Sequence, residues 1–382
     1  MPTTWYKNTL YRLLLPFFAP GCGRHPVTSF TGHDLFSVHD LSALLRRHHV
    51  LGSAVLVSSP DNYSLICSSS ASPLHEAHPD TFFRVASITK SATALLCMRL
   101  SEMHIIDLDM PVSDYFSSVP EVSPLKNVTV THLLSHTSGL SDPPCLELSL
   151  EKGVPFTQLL SDALINTPGT AFHYSNFGFG LIGCVLESVL DKPIGQIFRD
   201  YLFDPLNMNA TLEGCLLPPD RIMPVTRIFP YKKQDLVLTR LGSEPLRNPD
   251  PFCHYGHTAG SMYTDVFSLH TMLKTLAYSN PFLSDHSRDL LCEEHASYGK
   301  ISPSLSYGLG VLRIRDSKLS DHMIYGHQGF AYGCADGAFW EADTGNMLIM
   351  LNGGCSEARI GRLGILNRDL LHWAFRKELP LW

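Results

Sequence analysis

Ser87 and Lys90 stand three residues apart in the stretch FRVASITKS, residues 83 to 91, where a short apolar segment gives way to a helix-forming run. A serine hydroxyl becomes a good nucleophile when an adjacent base takes its proton, and an uncharged amine is a competent base. On a helix, residues i and i+3 share a face, so Lys90 reaches the Ser87 oxygen without strain. A serine in the first turn also feels the positive end of the helix dipole, which favours a developing alkoxide. The apolar residues around Lys90 (Ile88, Ala92, Leu95, Leu96) lower its pKa if the helix is buried, because burial disfavours the charged form. Alone, the pair is weak. Serine, any two residues, then lysine arises by chance about once or twice in a chain of this length. A capping serine followed by a solvated lysine is the competing reading, and a helix apolar on nearly every face argues against it.

Two more constellations lie downstream. Tyr174 and Asn176 occur in FHYSNFGFG, immediately ahead of a second strongly apolar segment, and His327 and Gly329 occur in YGHQGFAYG near the C-terminus. The elements that must hold these groups are legible as patterns. Residues 87 to about 102 read as a buried helix, and NFGFGLIGCVLESVL reads as another, stopped at Asp191-Lys192-Pro193. LGSAVLVSS and NYSLICSSS, with Pro60-Asp61 between them, read as a hairpin. After residue 300, YGLGVLRIRD, GCADGAFWEA and NMLIMLNGG read as strands, with a turn at Asp343-Thr344-Gly345 and a last helix over residues 356–376. Residues 103–299 are mostly helix and loop, including a Pro-rich irregular stretch between Cys215 and Cys253 of the kind that borders binding sites. The class is therefore α/β in the α+β sense, with one sheet built from both chain ends and a mostly helical part inserted between them. Residues 27–382 read as a single catalytic domain, its α/β part at about 27–86 and 300–382 and its helical part at about 87–299.

Taken in order, Ser87-Ile88-Thr89-Lys90, Tyr174-Ser175-Asn176 and His327-Gln328-Gly329 make the chain resemble the penicillin-binding-protein-like serine hydrolases, in the branch of class C β-lactamases, DD-peptidases and related esterases. That family carries S-x-x-K, then Y-x-N, then K-T-G or H-x-G. The segments IIDLDMPVSDYF, VTVTHLLSHTSGL, LFDPLNMNAT, TAGSMYTDVFSLHTML and SYGLGV are similar to its connecting segments, so the resemblance runs from about residue 50 to 375. It implies a β-lactamase/transpeptidase-like fold, an antiparallel sheet flanked by helices, and acyl transfer through a covalent serine ester. Carried onto this chain, Ser87 is the nucleophile, while Lys90 and Tyr174 share the proton traffic. Which of the two is the acylation base is left open, a Tyr174 phenolate stabilised by Lys90 being one option. Asn176 holds Lys90 and a substrate amide oxygen. The backbone N–H groups of Ser87 and Phe330 form the oxyanion hole, the usual source of much of the rate. His327 and Gly329 line the substrate side. Histidine at 327 departs from the lysine form, and because it carries no permanent charge near neutral pH it is a poorer anchor for a substrate carboxylate. That tilts the expectation from β-lactam destruction toward peptidase or esterase work on small amides or esters. No cofactor is implied.

Composition narrows the field further. A net charge of −7 with both signs interspersed offers no basic stripe for nucleic acid. The ten cysteines form no C-x-x-C pair, and Cys97 and Cys184 sit in apolar runs as small hydrophobes, which favours a reducing, cytoplasmic setting. Against it, YKNTLYRLLLPFFAPGC imitates a signal peptide, so residues 1–26 read either as an export segment or as an amphipathic helix packed on the domain. The sequons at Asn62, Asn127 and Asn209 matter only for an exported chain. No run approaches the ~18 apolar residues needed to span a bilayer. His132 and His136 have the spacing of a zinc helix but lack the glutamate of H-E-x-x-H, and His254 and His257 have no third ligand, so no metal is expected. Arg84 reads as a structural ion-pair partner. No G-x-S-x-G elbow supports an α/β-hydrolase. The expected partner is a small-molecule or peptide substrate, and nothing in the chain encodes an oligomeric state. Three activity classes follow: a hydrolase, an acyltransferase using the same serine ester, and a non-catalytic penicillin-binding sensor, which the intact Ser87, Lys90 and Tyr174 disfavour.

Overall fold

Apolar, strand-forming residues near both ends of the chain build one sheet, and most helices that cover it come from between them. The computed structural model describes residues 27–32, 38–69, 75–116, 119–146, 153–228, 231–234, 244–331 and 333–376. The expectations for residues 1–26, and for parts of the loops around 147–152 and 235–243, lie outside them.

Strand β1 (Val27–Gly32) is followed by helix α1 (Val38–Arg47) and by a hairpin of β2 (Ser53–Ser58) and β3 (Tyr63–Ser68). The hairpin turn closes where Ser59 N–H donates to the Asn62 carbonyl at 2.9 Å. A two-residue strand, β4 (Phe83–Arg84), enters a 3-10 turn at Ala86–Ile88 that runs into α2 (Thr89–Glu102). Then come α3 (Val130–Leu134), α4 (Asn176–Leu190), β5 (Ala210–Thr211), α5 (His257–Gly260), β6 (Tyr263–Thr264) and α6 (Val266–Ala277). The chain returns to the sheet with β7 (Ala296–Ser297), β8 (Leu305–Tyr307), β9 (Leu312–Ile314), β10 (Ile324–Ala331), β11 (Cys334–Glu341) and β12 (Met347–Asn352). A small hairpin, β13 (Arg359–Ile360) and β14 (Leu363–Gly364), leads into α7 (Ile365–Phe375).

The nine-stranded sheet has the order β1-β3-β2-β12-β11-β10-β9-β8-β7, and every pairing in it is antiparallel. Its centre joins the two ends of the chain, with Ser53 opposite Asn352 and Ser58 opposite Met347. Both faces are covered. Ala54, Leu56 and Leu65 pack into the core that holds α2, α4 and α6, while Val55 and Ile66 face the other way onto Leu41 and Leu45 of α1 and Leu366 and Leu370 of α7. A sheet buried on both faces needs apolar residues at successive positions, which is why β2 and β12 read as continuous hydrophobic runs. Each fully buried Leu, Ile or Phe adds about 1.5–3 kcal/mol.

The last helix is shorter than the sequence suggests. Gly361 adopts φ +59, a left-handed turn that closes the β13–β14 hairpin, and helix starts only at Ile365. Gly364 is needed there because a Cβ would stand 2.6 Å from the Phe330 ring.

Candidate active site

The turn that carries Ser87 is pinned from three sides. Arg84 of β4 pairs with Tyr263 of β6, Val85 N–H donates to the Met262 carbonyl at 3.0 Å, and Thr89 Oγ1 donates to the Ala86 carbonyl at 2.6 Å. Ala86 is held at φ +46, a conformation that costs a non-glycine residue about 1–3 kcal/mol and persists only when the surroundings enforce it. The next residue, Ser87, is partly exposed, so its hydroxyl is reachable from solvent.

Lys90, one turn on, is fully buried. Its Nζ donates to Ser87 Oγ at 3.3 Å, to Asn176 Oδ1 at 2.8 Å and to the Ala259 carbonyl of α5 at 2.7 Å. None of these acceptors is a carboxylate. Burial, reinforced by the Arg84 cation and opposed by Asp142, pushes the amine down to about 7. The solvated-lysine reading is thereby excluded.

Asn176 opens α4, with Ser175 as its N-cap accepting from Gly178 N–H at 2.9 Å. Asp142, which the sequence did not mark, organises this end. Its carboxylate accepts from Asn176 Nδ2 at 2.8 Å, Phe177 N–H at 2.9 Å and Ser175 Oγ at 3.1 Å. With its amide nitrogen committed to Asp142, Asn176 must turn its carbonyl oxygen toward Lys90. The Tyr174 ring lies 5.0 Å from Lys90 Nζ, and its hydroxyl is close enough to Ser87 to be influenced by it. Burial drives the phenol far above its ordinary value, so the resting site disfavours the phenolate option.

Strand β10 forms the opposite wall. Its pairing with β9 ends at Gly326, which leaves the edge of residues 327–331 facing the Ser87 turn without a partner strand among the described residues. A Cβ on Gly329 would collide with the Val85 carbonyl and stand 3.3 Å from Ala86 Cβ, so only glycine lets the strand lie this close to Ser87. Phe330 follows, with the Arg359 guanidinium 3.8 Å above its ring. His327 is 3 % exposed, and both its ring nitrogens are used. Nδ1 donates to the Gln328 carbonyl at 2.7 Å, and Nε2 accepts from the Tyr307 hydroxyl at 2.8 Å. Burial and the nearby Lys90 push the imidazole down to about 3.

Ser87, Lys90, Tyr174, Asn176, His327, Gly329 and Phe330 are therefore brought to one place from three separate stretches of chain. Asp142, the Ala259 carbonyl and Tyr307 were not anticipated in it. Asp142 left no signal, since no spacing rule links residue 142 to residue 176, and Tyr307 showed only as part of the connecting segment SYGLGV.

The histidine pairs fall differently. His132 caps α3 through its Nδ1, which accepts from Thr129 N–H, and the helix ends at Leu134 before His136, so the two share no helix face. His254 pairs with buried Glu187 at 2.7 Å, whereas His257 is buried and held down to about 3. Among the described residues no group of three or more His, Cys, Asp or Glu is placed to hold a metal ion. Arg84 donates to the Gly260 carbonyl at 2.9 Å, beside the Ala259 carbonyl that takes Lys90.

A β-lactamase family model matches residues 42–339. The chain belongs to the β-lactamase family. Beta-lactamase-like protein 4 of Dictyostelium discoideum is 32 % identical over 151 residues, a match covering 35 % of this chain and only 26 % of that protein's own length. Esterase EstB of Burkholderia gladioli is 25 % identical over 335 residues, covering 77 % of this chain and 82 % of the esterase. Among solved structures, D-amino acid amidase from Ochrobactrum anthropi SV3 superposes with a TM-score of 0.68 at 20 % identity, over 89 % of this chain and 95 % of that one. That likeness establishes the β-lactamase-like fold of the sheet and its covering helices. No helix among the described residues is long and apolar enough to cross a membrane.

Proposed function

We propose that this β-lactamase-family chain is a serine hydrolase of small amides or esters that works through an acyl ester on Ser87. The observation that carries the proposal is the state of Lys90: a buried amine, held near neutral pKa, 3.3 Å from the serine oxygen and bonded only to neutral acceptors. Such an amine is a ready base near pH 7.

In the first step Ser87 Oγ attacks the substrate carbonyl carbon while its proton passes to Lys90 Nζ. Negative charge gathers on the carbonyl oxygen, which the N–H groups of Ser87 and Phe330 would receive. Collapse of the tetrahedral adduct breaks the bond to the leaving group. Tyr174, neutral and beside Ser87, relays the proton from Lys90 to the departing amine or alkoxide. Water then attacks the ester by the same route in reverse, with Lys90 again the base. Asn176, oriented by Asp142, keeps the amine aimed at Ser87.

The substrate side supports esters and amides over β-lactams. His327 is neutral and has no free ring nitrogen, so it offers a substrate carboxylate neither charge nor a donor. Phe172, Tyr298 and Phe330, the first packed against buried Tyr307, give the neighbouring surface an aromatic character suited to an apolar acyl group.

The test pairs wild type with Ser87→Ala on nitrophenyl esters, a D-alanyl amide and a fluorescent penicillin, with intact-mass spectrometry to detect the acyl adduct. The proposal expects ester or amide turnover with an adduct on Ser87, both absent in Ser87→Ala. Equal behaviour of the two proteins on every substrate would sink it. Added alcohols or amines in the same assay separate hydrolysis from acyl transfer, the latter appearing as new ester or amide products.

A further inference from the structure

The chain on both sides of Tyr174 is tied to a single residue, His136. His173 N–H donates to the His136 backbone carbonyl at 2.7 Å, and Ser175 N–H donates to His136 Nδ1 at 3.2 Å. Between these two bonds the Tyr174 ring lies on the imidazole, with centroids 4.2 Å apart and planes 36° from parallel. The other rings around His136 are Tyr307 at 4.8 Å, Phe179 at 4.9 Å and Phe172 at 5.8 Å. Its backbone sits at φ +58, just past the end of α3. A residue leaving a helix in that conformation reverses the chain, which allows carbonyl and side chain to serve the same neighbouring segment.

The imidazole is not a proton carrier. Because Nδ1 accepts from Ser175, the ring proton is on Nε2, which has no hydrogen-bond partner among the described residues and is enclosed by aromatic faces. Such an N–H finds weak compensation in the rings. His136 is 1 % exposed, and burial together with Lys90 and His327 keeps it neutral. What remains is a rigid plate with two acceptors, both spent on the backbone flanking one tyrosine.

We propose that His136 is a positioning residue for acyl transfer, fixing the Tyr174 hydroxyl against Ser87 by gripping the chain at residues 173 and 175 and stacking on the ring between them. This rests on the reading above, in which Tyr174 moves the proton. Tyr174 needs such a grip because it precedes the α4 cap, and the Ser175 backbone beyond it is extended rather than helical. A misplacement of about 1 Å in a reacting group can cost roughly a hundredfold in rate.

The test is a double-mutant cycle with Tyr174→Phe, scored on nitrophenyl ester turnover and on the rate of covalent labelling of Ser87. His136→Gly keeps the left-handed backbone while removing ring and Nδ1. In the wild-type background it is expected to lower kcat by about 10- to 100-fold with KM changed less than about threefold. In the Tyr174→Phe background the same change should cost less than about twofold, since residues acting as one unit do not add. His136→Asn, which also tolerates positive φ and keeps a side-chain acceptor, should fall between wild type and His136→Gly. Circular dichroism and thermal melting establish that each variant is folded, and His136→Asn runs the cycle if His136→Gly does not fold. Equal losses in both backgrounds, or wild-type rates in folded variants, overturn the positioning role. A wild-type chain that neither turns over nor labels, or that matches Ser87→Ala, overturns the acyl-serine reading instead.

Discussion

Tyr307 gives its hydroxyl proton to Nε2 of His327 across 2.8 Å, in a site from which both residues are almost wholly shielded. The bond fixes the tautomer of His327 and keeps it out of substrate ionic recognition. Tyr307→Phe retains the ring but leaves Nε2 buried without a donor, at a cost of about 1–3 kcal/mol. Urea denaturation should register that loss. Because His327 titrates near 3, neither Tyr307→Phe nor His327→Gln should move the acid limb of the pH–rate profile. A limb that disappears in His327→Gln would reassign the titrating base.

The acid limb should belong to Lys90. Turnover needs the neutral amine, so kcat/KM is expected to rise with pH through about 7 and then level off. Stability follows the same proton. The folded amine titrates near 7 against an ordinary lysine value of 10.5, so between those pH values the unfolded chain holds a proton that the folded chain does not. Unfolding free energy from this group therefore rises with pH across that window, and the penalty is fully present below it. In Lys90→Met that part of the slope should vanish from urea midpoints measured at pH 7 and pH 10.

Asp142 and Arg84 pull Lys90 in opposite directions, and their variants should separate. Asp142→Asn removes the anion that favours the charged amine, so the acid limb should move to lower pH while the Ser175 cap of α4 stays in place. Arg84→Gln removes a neighbouring cation and should move the limb to higher pH. Profiles that shift the same way in both variants would contradict this electrostatic account.

Gly329→Ala tests the closeness of the two walls. The added methyl meets the Val85 carbonyl and Ala86, so β10 must retreat from the Ser87 turn, with an overpacking cost of about 1–3 kcal/mol. Because Phe330 N–H moves with the strand, kcat should fall far more than stability does. A variant that keeps the full rate would remove Phe330 from the oxyanion site.

Much of this arrangement was legible because local rules coincide with it. The β2–β3 hairpin, the apolar helices over residues 89–102 and 176–190 and the turn at Asp343-Thr344-Gly345 all announce themselves through periodicity and turn residues. Ser87, Lys90, Tyr174, Asn176 and His327 were visible as ordered motifs. What periodicity cannot carry is contact across long sequence separations. The Asp142–Asn176 bond, the Ala259 carbonyl on Lys90 and the Tyr307–His327 pair depend on which loops fold back where. His136 was noticed for its spacing to His132, which suggested a helix face, but the helix stops two residues short and the residue turns to Tyr174 instead. The overlong last helix has the same origin, because Gly361 and Gly364 are shaped by Ser302 and Phe330, neither of them a sequence neighbour.

The pairing of β2 with β12 sets the order in which this protein can come into being. Residues 53–58 wait for residues 347–352, so nearly three hundred residues must emerge before the middle of the sheet closes. Until then the apolar faces of the β2–β3 hairpin and of α2 have no complete cover. Such long-range closure is slow, and it leaves sticky surface exposed meanwhile. During synthesis Ser87 and Lys90 emerge long before β10, so a ribosome halted before residue 324 carries the pair without the strand that faces it.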